Sequence, residues 1–273
     1  MTIEKTGVVG AVRELWRYPV KSMLGEQLSA VAVTERGVEG DRRFALIDSE
    51  TGHVVSAKNP RRWPTMFSFH ARQRLGASTD VEITLPDGTI LVSSASEVNA
   101  VLSERLGRKV TLASVPPSQP VLEQFSPSLD GLSERDSEAM VKIPPATFFD
   151  EAPVHLLTTA TLHALQSRYP DGRFDARRFR PNVLIETELS ASGFVENDWK
   201  GRIVTIGAQV RLAVTSLCAR CVMTTLPQQG LPQDLAILRT AVQHNQGMVG
   251  VLATVVTPGG VQAGDPVRIE RKF

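Results

Sequence analysis

Ser216-Leu217-Cys218-Ala219-Arg220-Cys221-Val222-Met223-Thr224-Thr225 holds both cysteines of the chain, three residues apart with an arginine between them. Ahead of it run Arg202-Ile203-Val204-Thr205-Ile206, the turn Gly207-Ala208, and Val210-Arg211-Leu212-Ala213-Val214. Alternating, β-branched segments around a glycine predict a hairpin that delivers the cysteines at a strand end. Leu226-Pro227-Gln228-Gln229-Gly230 then breaks the pattern as a loop. A thiol at such a place, beside an arginine, meets positive potential, which favours the thiolate that attacks electrophiles or binds soft metals. A structural zinc site is not supported, because no second C-x-x-C or histidine pair exists to complete four ligands. A thioredoxin-like motif would open a helix, whereas β-branched residues and a loop follow here. Two readings stay open: packed thiols acting as small apolar residues, or one thiolate serving as a single ligand or nucleophile.

The 273 residues are 42% hydrophobic and 22% charged, with a net charge of +1. That length accommodates one large or two modest domains with an ample core. The near-neutral balance gives no field that would gather nucleic acid or an anionic membrane. No apolar run of about 18 residues is present and Met1–Gly10 carries no signal-peptide pattern, so neither nucleic acid nor membrane is an expected partner. Two cysteines make no disulfide framework, and a reducing cytoplasm is the expected location.

Short β-like runs dominate the first half: Val8–Val12 with Leu15-Trp16, Leu28–Thr34, Phe44–Asp48, Val54–Ser56, Met66–His70, Val81–Leu85 and Thr89–Val92. Their spacing predicts an antiparallel, barrel-like unit. Ser94 and Glu97 fit a capping box before a short helix carrying Val98, Val101, Leu102 and Leu106. From Ala113 to Pro145 the chain is polar and rich in Pro and Ser, with charges at Glu134, Arg135 and Asp136, and reads as a connection between domains. The second half opens with Phe148-Phe149-Asp150-Glu151 and the apolar run Val154–Leu157, and Thr158–Thr161 marks a hydroxyl-capped helix start whose N–H groups could hold an anion. A strand at Val183-Leu184-Ile185, the loop Gly193–Trp199, the cysteine hairpin, a helix over Leu235–His244 and a β-rich tail complete the order. The fold class expected is mainly β with some α (α+β). It comprises an N-terminal β-barrel-like domain over 1–115, a connecting segment over 116–146 and a second β-barrel domain with flanking helices over 147–273.

Basic residues gather in segments that also contain turns: Lys21-Ser22, Arg42-Arg43, Lys58 with Arg61-Arg62, Arg177 to Arg180, and Arg220. Each alone reads as solvated surface charge. Brought together with hydroxyls they would form a phosphate site, since arginine donates in pairs. Neither a Walker A loop nor a G-x-G-x-x-G is present.

Taken in order, Tyr18-Pro19-Val20-Lys21-Ser22 with Gly25, Gly40-Asp41-Arg42-Arg43-Phe44, Phe179-Arg180-Pro181-Asn182, Cys218-Ala219-Arg220-Cys221 with Thr224-Thr225, and Gly264-Asp265-Pro266-Val267 resemble MOSC proteins. The likeness is to the group in which a MOSC N-terminal β-barrel precedes a MOSC domain, as in the amidoxime-reducing components and their bacterial relatives. The resemblance covers nearly the whole chain and implies a molybdenum cofactor (Mo-molybdopterin) with a terminal phosphate. It implies that Cys221 is the thiolate ligand to molybdenum and the catalytic residue. Lys21, Ser22, Arg42 and Arg220 would contact the phosphate and nearby polar atoms, and Arg180 and Asn182 the pterin. Thr159 and Thr161 are further cofactor candidates on a looser match, and Cys218 is read as a packed thiol.

The resemblance also implies a function, reduction of N-hydroxylated compounds such as hydroxylamines, amidoximes or hydroxylated bases. Two departures bear on it. Amidoxime-reducing members carry an acidic residue next to the proline after the Thr-Thr pair, where this chain has Leu226-Pro227-Gln228-Gln229. Some bacterial relatives carry an iron–sulfur domain, and this sequence lacks the four cysteines it needs, so a separate electron donor is expected, a ferredoxin or a cytochrome b5-like protein with a reductase. Two other functions compete: a sulfur carrier working through a Cys221 persulfide, and a cofactor carrier without turnover.

Overall fold

A computed structural model describes residues 7–74, 79–129, 136–188 and 190–272. Met1 and its neighbours, and Glu134 and Arg135 of the expected connection, lie outside the described residues. The molecule is mainly β with four α-helices among the described residues, as the strand pattern predicts.

Seven strands close into a barrel. In spatial order they are Val183–Thr187, Val154–Thr158, Met248–Thr257, Val210–Ala219, Arg202–Ile206, Pro266–Lys272 and Val8–Arg17, and the last pairs back to the first. All neighbours are antiparallel except Val154–Thr158 and Val183–Thr187, a parallel pair. A parallel pair needs a crossover, supplied here by the helix Thr159–Arg168 and the short helix Ala176–Phe179. Alternation along the strands turns Val12, Leu156, Ile185, Val204, Leu212, Val251 and Val267 into one sealed core. The helix Ala236–Asn245 packs with Thr159–Arg168 and Ala176–Phe179 outside it, through Leu165, Phe174, Phe179, Ile237 and Val249.

The remaining N-terminal residues form small antiparallel sheets: Ala45–Asp48 with Val110–Ala113, His70–Gln73 with Val81–Thr84 and Ile90–Val92, and Ala30–Thr34 between Gly37–Val38 and Gly259–Gln262. The helix Val98–Leu106 covers a core of Val20, Met23, Leu46, Trp63, Phe69, Ile83 and Leu102. Val222 and Leu226, from just after the second cysteine, are buried in that same core. The limits 1–115, 116–146 and 147–273 divide the sequence, whereas the sheets are shared across them: the first strand belongs to the barrel, and Gly259–Gln262 pairs with Ala30–Thr34.

Four local expectations are corrected. Met66–Ser68 is a 3-10 turn, and the strand begins only at His70, because Met66 and Phe67 are buried in succession, which the period of two of a strand does not allow on one face. Val54–Ser56 makes only an isolated bridge, Val54 to Ile47. The helix after Ser94 forms as expected, but Ser94 Oγ donates to Asp80 at 2.9 Å and Glu97 is the uncapped first residue, so the capping box is not made. The connection between domains contains a hairpin, Val121–Ser126 with Ser137–Lys142, whose Leu122 and Phe125 are buried against the N-terminal sheets.

Candidate functional site

The hairpin Arg202–Ile206/Val210–Ala219 carries Cys218 to the end of its second strand. Cys221 follows in extended backbone and starts the 3-10 turn Val222–Thr225, whose Thr224 returns to it: Thr224 N and Oγ1 donate to the Cys221 carbonyl at 3.2 and 3.1 Å. Cys218 is buried, and burial pushes its thiol pKa up, so it stays protonated. Cys221 is half-buried.

Both sulfur residues line a cavity of about 330 Å³ at the seam between the N-terminal sheets and the barrel. Lys21, Ser22, Arg42, Arg180, Asn182, Arg220 and Cys221, all picked from the sequence, share its wall. Thr159 and Thr161 do not. Thr159 Oγ1 lies 3.3 Å from Thr187 Oγ1, and Thr161 Oγ1 donates to Glu196 at 2.7 Å. The Thr158 hydroxyl accepts from Thr161 N, and the Glu196 carboxylate accepts from both Thr158 and Thr161 hydroxyls. The helix start is therefore closed by the chain's own acid.

Five non-glycine residues among those described have left-handed backbone: Ser22 (φ 65°), Arg42 (47°), Ala146 (58°), Arg180 (54°) and Gln246 (53°). Three of the five line this cavity. Such conformations cost about 1 kcal/mol or more each and persist where the surroundings impose them, commonly around a ligand.

The cationic groups divide into two kinds. Lys21 Nζ donates to the Phe148 carbonyl (2.7 Å) and Asp150 Oδ1 (2.5 Å), and Lys58 Nζ lies 3.2 Å from Asp150 Oδ2. Burial pulls Lys21 down to about 8 despite its acid partner. Burial also works against the Lys58 charge, but Asp150 and then the Cys221 sulfur outweigh it and raise the pKa. Burial likewise opposes the Asp150 charge, and the two ammonium groups hold its carboxyl well below the usual range all the same. Arg42 gives one N–H to Asp41 (2.5 Å) and lies 4.5 Å over the Tyr18 ring. These groups carry charge that faces the cavity.

Arg180, Arg220 and Arg178 hold the framework. Arg180 donates to the Met23 carbonyl (2.7 Å), stacks 4.1 Å over Tyr18, and is pulled down to about 10 by burial. Arg220 Nε and Nη1 donate to the carbonyls of Val249 (2.8 Å) and Phe179 (2.9 Å), and Nη2 meets His155. Burial, and then Arg220, keep His155 neutral, its pKa well below the ordinary value. Gly250 makes room for this contact: at φ +80° a Cβ there would stand 2.3 Å from His155 Nε2. Asn182 Nδ2 donates to Asp41 (3.0 Å), and its Oδ1 accepts from His155 N. Asn182 thus ties the turn at Asp41 to the barrel strand that carries His155.

Sequence reasoning did not single out Asp150 or His155, and took Lys58 and Arg178 only as members of basic clusters. Asp41 was visible only as part of the quoted Gly-Asp-Arg-Arg run. No signal in the sequence joins Lys58 to Cys221, since 163 positions, 221 less 58, separate them.

Residues 144–268 match the MOSC domain, and residues 9–112 match the MOSC N-terminal beta barrel domain. The chain is 27% identical over 286 residues to mitochondrial amidoxime-reducing component 1 of Mus musculus, with 95% of this chain and 82% of that protein covered. It is 25% identical to the Homo sapiens component 1 over the same share of each chain, and 23% identical to component 2 of Rattus norvegicus, covering 95% and 83%. The matched segments, the seven-strand barrel and the cavity at the seam of the two parts describe one protein: this chain belongs to the MOSC family, with a MOSC N-terminal β-barrel domain followed by a MOSC domain.

Proposed function

We propose that this protein is a molybdenum-cofactor-dependent oxidoreductase that reduces N-hydroxylated compounds with electrons from a separate donor protein. The relatives named amidoxime-reducing components support the reaction class. The observation that carries the reading is the half-buried Cys221 thiol in the wall of a basic cavity with three left-handed residues around it. No group of three or more His, Cys, Asp or Glu able to hold a metal ion occurs among the described residues. A metal at Cys221 would therefore take one protein ligand and draw the others from a bound group, which suits the sulfur-rich donor set of a pterin dithiolene. Lys21, Lys58 and Arg42 supply charged donors for its phosphate.

When bound, the cofactor supplies a two-electron redox centre and a Lewis acid for the substrate oxygen. The chain's own residues do the rest. Cys221 Sγ would hold the metal, and the Thr224 N–H and hydroxyl hold the Cys221 carbonyl so that the sulfur keeps its place. Lys21 and Lys58, held together by Asp150, would meet the phosphate, and His155, kept neutral, adds no further charge beside Arg220. A cytoplasmic location, where the thiol stays reduced, belongs to the same proposal.

The test is expression in a host that makes the cofactor, followed by metal analysis, pterin fluorescence and reduction of hydroxylamine and benzamidoxime with an artificial electron donor. Wild type should carry molybdenum and pterin and turn over, while Cys221→Ser should fold normally and lose turnover. A Cys221→Ser variant that reduces both substrates at the wild-type rate would refute the assignment.

A further inference from the structure

Arg178 is fully buried, 1% exposed, and forms no ion pair with a carboxylate among the described residues. Leaving a guanidinium in such a place without partners would cost several kcal/mol. Backbone oxygens satisfy it instead. Nε donates to the Arg173 carbonyl (2.9 Å), Nη1 to those of Thr224 (3.1 Å) and Leu226 (3.4 Å), and Nη2 to that of Pro232 (2.7 Å). Three of the four acceptors belong to the loop that begins at Cys221. The chain of contacts to the thiol is short: Arg178 holds the Thr224 carbonyl, while the Thr224 amide and hydroxyl hold the Cys221 carbonyl.

We infer that Arg178 is a positioning residue that, through the carbonyls of Thr224, Leu226 and Pro232, fixes where the Cys221 sulfur stands in the cavity wall. The inference rests on the proposed function only in taking Cys221 as the working thiol. Arg178 sits in the short helix Ala176–Phe179, whose first residues are held by Asp175 and whose end passes directly into the cavity-lining Arg180. One guanidinium thus joins the segment that supplies Arg180 to the loop that supplies Cys221. Lysine would not replace it, because a single ammonium cannot reach carbonyls on both sides of a planar fork. The grip is on main-chain oxygens, so it does not depend on which side chains the loop carries. Leu226-Pro227-Gln228-Gln229 can therefore differ from its relatives while Cys221 stays in place.

The test uses the ligand-free full chain and the alkylation rate of Cys221 by iodoacetamide, read by peptide mass spectrometry against Cys218 as an internal reference. Loss of bonds to a charged donor corresponds to roughly tenfold or more, so Arg178→Met should alkylate at Cys221 about tenfold faster than wild type. Arg178→Lys should fall between the two. Leu212→Ala, a barrel-core substitution of comparable cost, should leave the Cys221 rate unchanged. If Arg178→Met does not fold, Arg178→Lys alone decides, and a rate faster than wild type supports the inference. A Cys221 rate equal to wild type in the Arg178 variants, or an equal rise in Leu212→Ala, overturns it. Absence of molybdenum and pterin from the wild type would count against the proposed function and leave this result standing.

Discussion

Lys21 illustrates how the cavity sets its own working range. Its ammonium is almost wholly buried, and that burial brings its pKa down to about 8, against an ordinary value of 10.5. Below that pH the group is charged and adds to the pull on an anion; as pH rises through about 8 it loses its proton and the pull weakens. Binding of sulfate, whose charge is constant over this range, to the ligand-free protein, followed by calorimetry, should therefore be tightest below pH 7 and fall between pH 7 and 9, about one unit either side of that pKa. Affinity that stays level across that range would show that Lys21 does not meet the anion. The two cysteines separate by the same physics. Cys218 is a neutral thiol packed at 9% exposure, so Cys218→Ala should lose about 1 kcal/mol of stability and, made in a cofactor-producing host, carry the same metal as wild type by elemental analysis. Loss of the metal in that variant would give Cys218 a role in binding that its burial does not suggest.

The loop after Cys221 is where element-level structure departs furthest from what sequence reasoning could reach. Leu226 directly precedes Pro227 in this loop, and its side chain is buried at 8% exposure in the N-terminal core with Val222. An aspartate there would bring a carboxylate into apolar surroundings without a partner. Leu226→Asp should therefore cost about 3 kcal/mol in denaturant unfolding, and an unchanged midpoint would mean the loop lies outside the core. Strand existence was legible wherever alternation was clean, as in Arg202–Ile206 and Val210–Ala219. It failed at Met66–Ser68, where Met66 and Phe67 are buried in succession, and at Ser94, whose hydroxyl donates to Asp80. For the site, the segments read from the sequence bring Lys21, Ser22, Arg42, Arg180 and Cys221 to one cavity wall. It could not tell a guanidinium facing the cavity from one facing carbonyls. Arg42 and Arg220 look alike in sequence, yet one turns to Asp41 and Tyr18 at the cavity and the other is taken up by Val249, Phe179 and His155.

At the scale of the whole molecule the cavity exists because two parts of the chain cannot be separated. Val8–Arg17 opens the sequence and closes the barrel, lying between Val183–Thr187 and Pro266–Lys272. Gly259–Gln262, near the other end, pairs with Ala30–Thr34, and Val222 with Leu226 fills the N-terminal core. Of these, Val222 and Leu226 follow Cys221 and join its cavity wall to the N-terminal core. Removing any one would expose apolar surface on both sides, and buried apolar area is the main source of folding stability. A chain so cross-connected has no free-standing half to melt first. Calorimetric unfolding of the full protein should therefore show one transition with equal calorimetric and van't Hoff enthalpies. The same argument extends to a chain starting at residue 18: without the first strand, the barrel is left with the unpaired edges of Val183–Thr187 and Pro266–Lys272, and exposed edges recruit other chains. That truncation should aggregate on expression, whereas a soluble truncated protein, or two resolved transitions in the intact one, would mean that the halves fold independently and that the seam is only a contact surface.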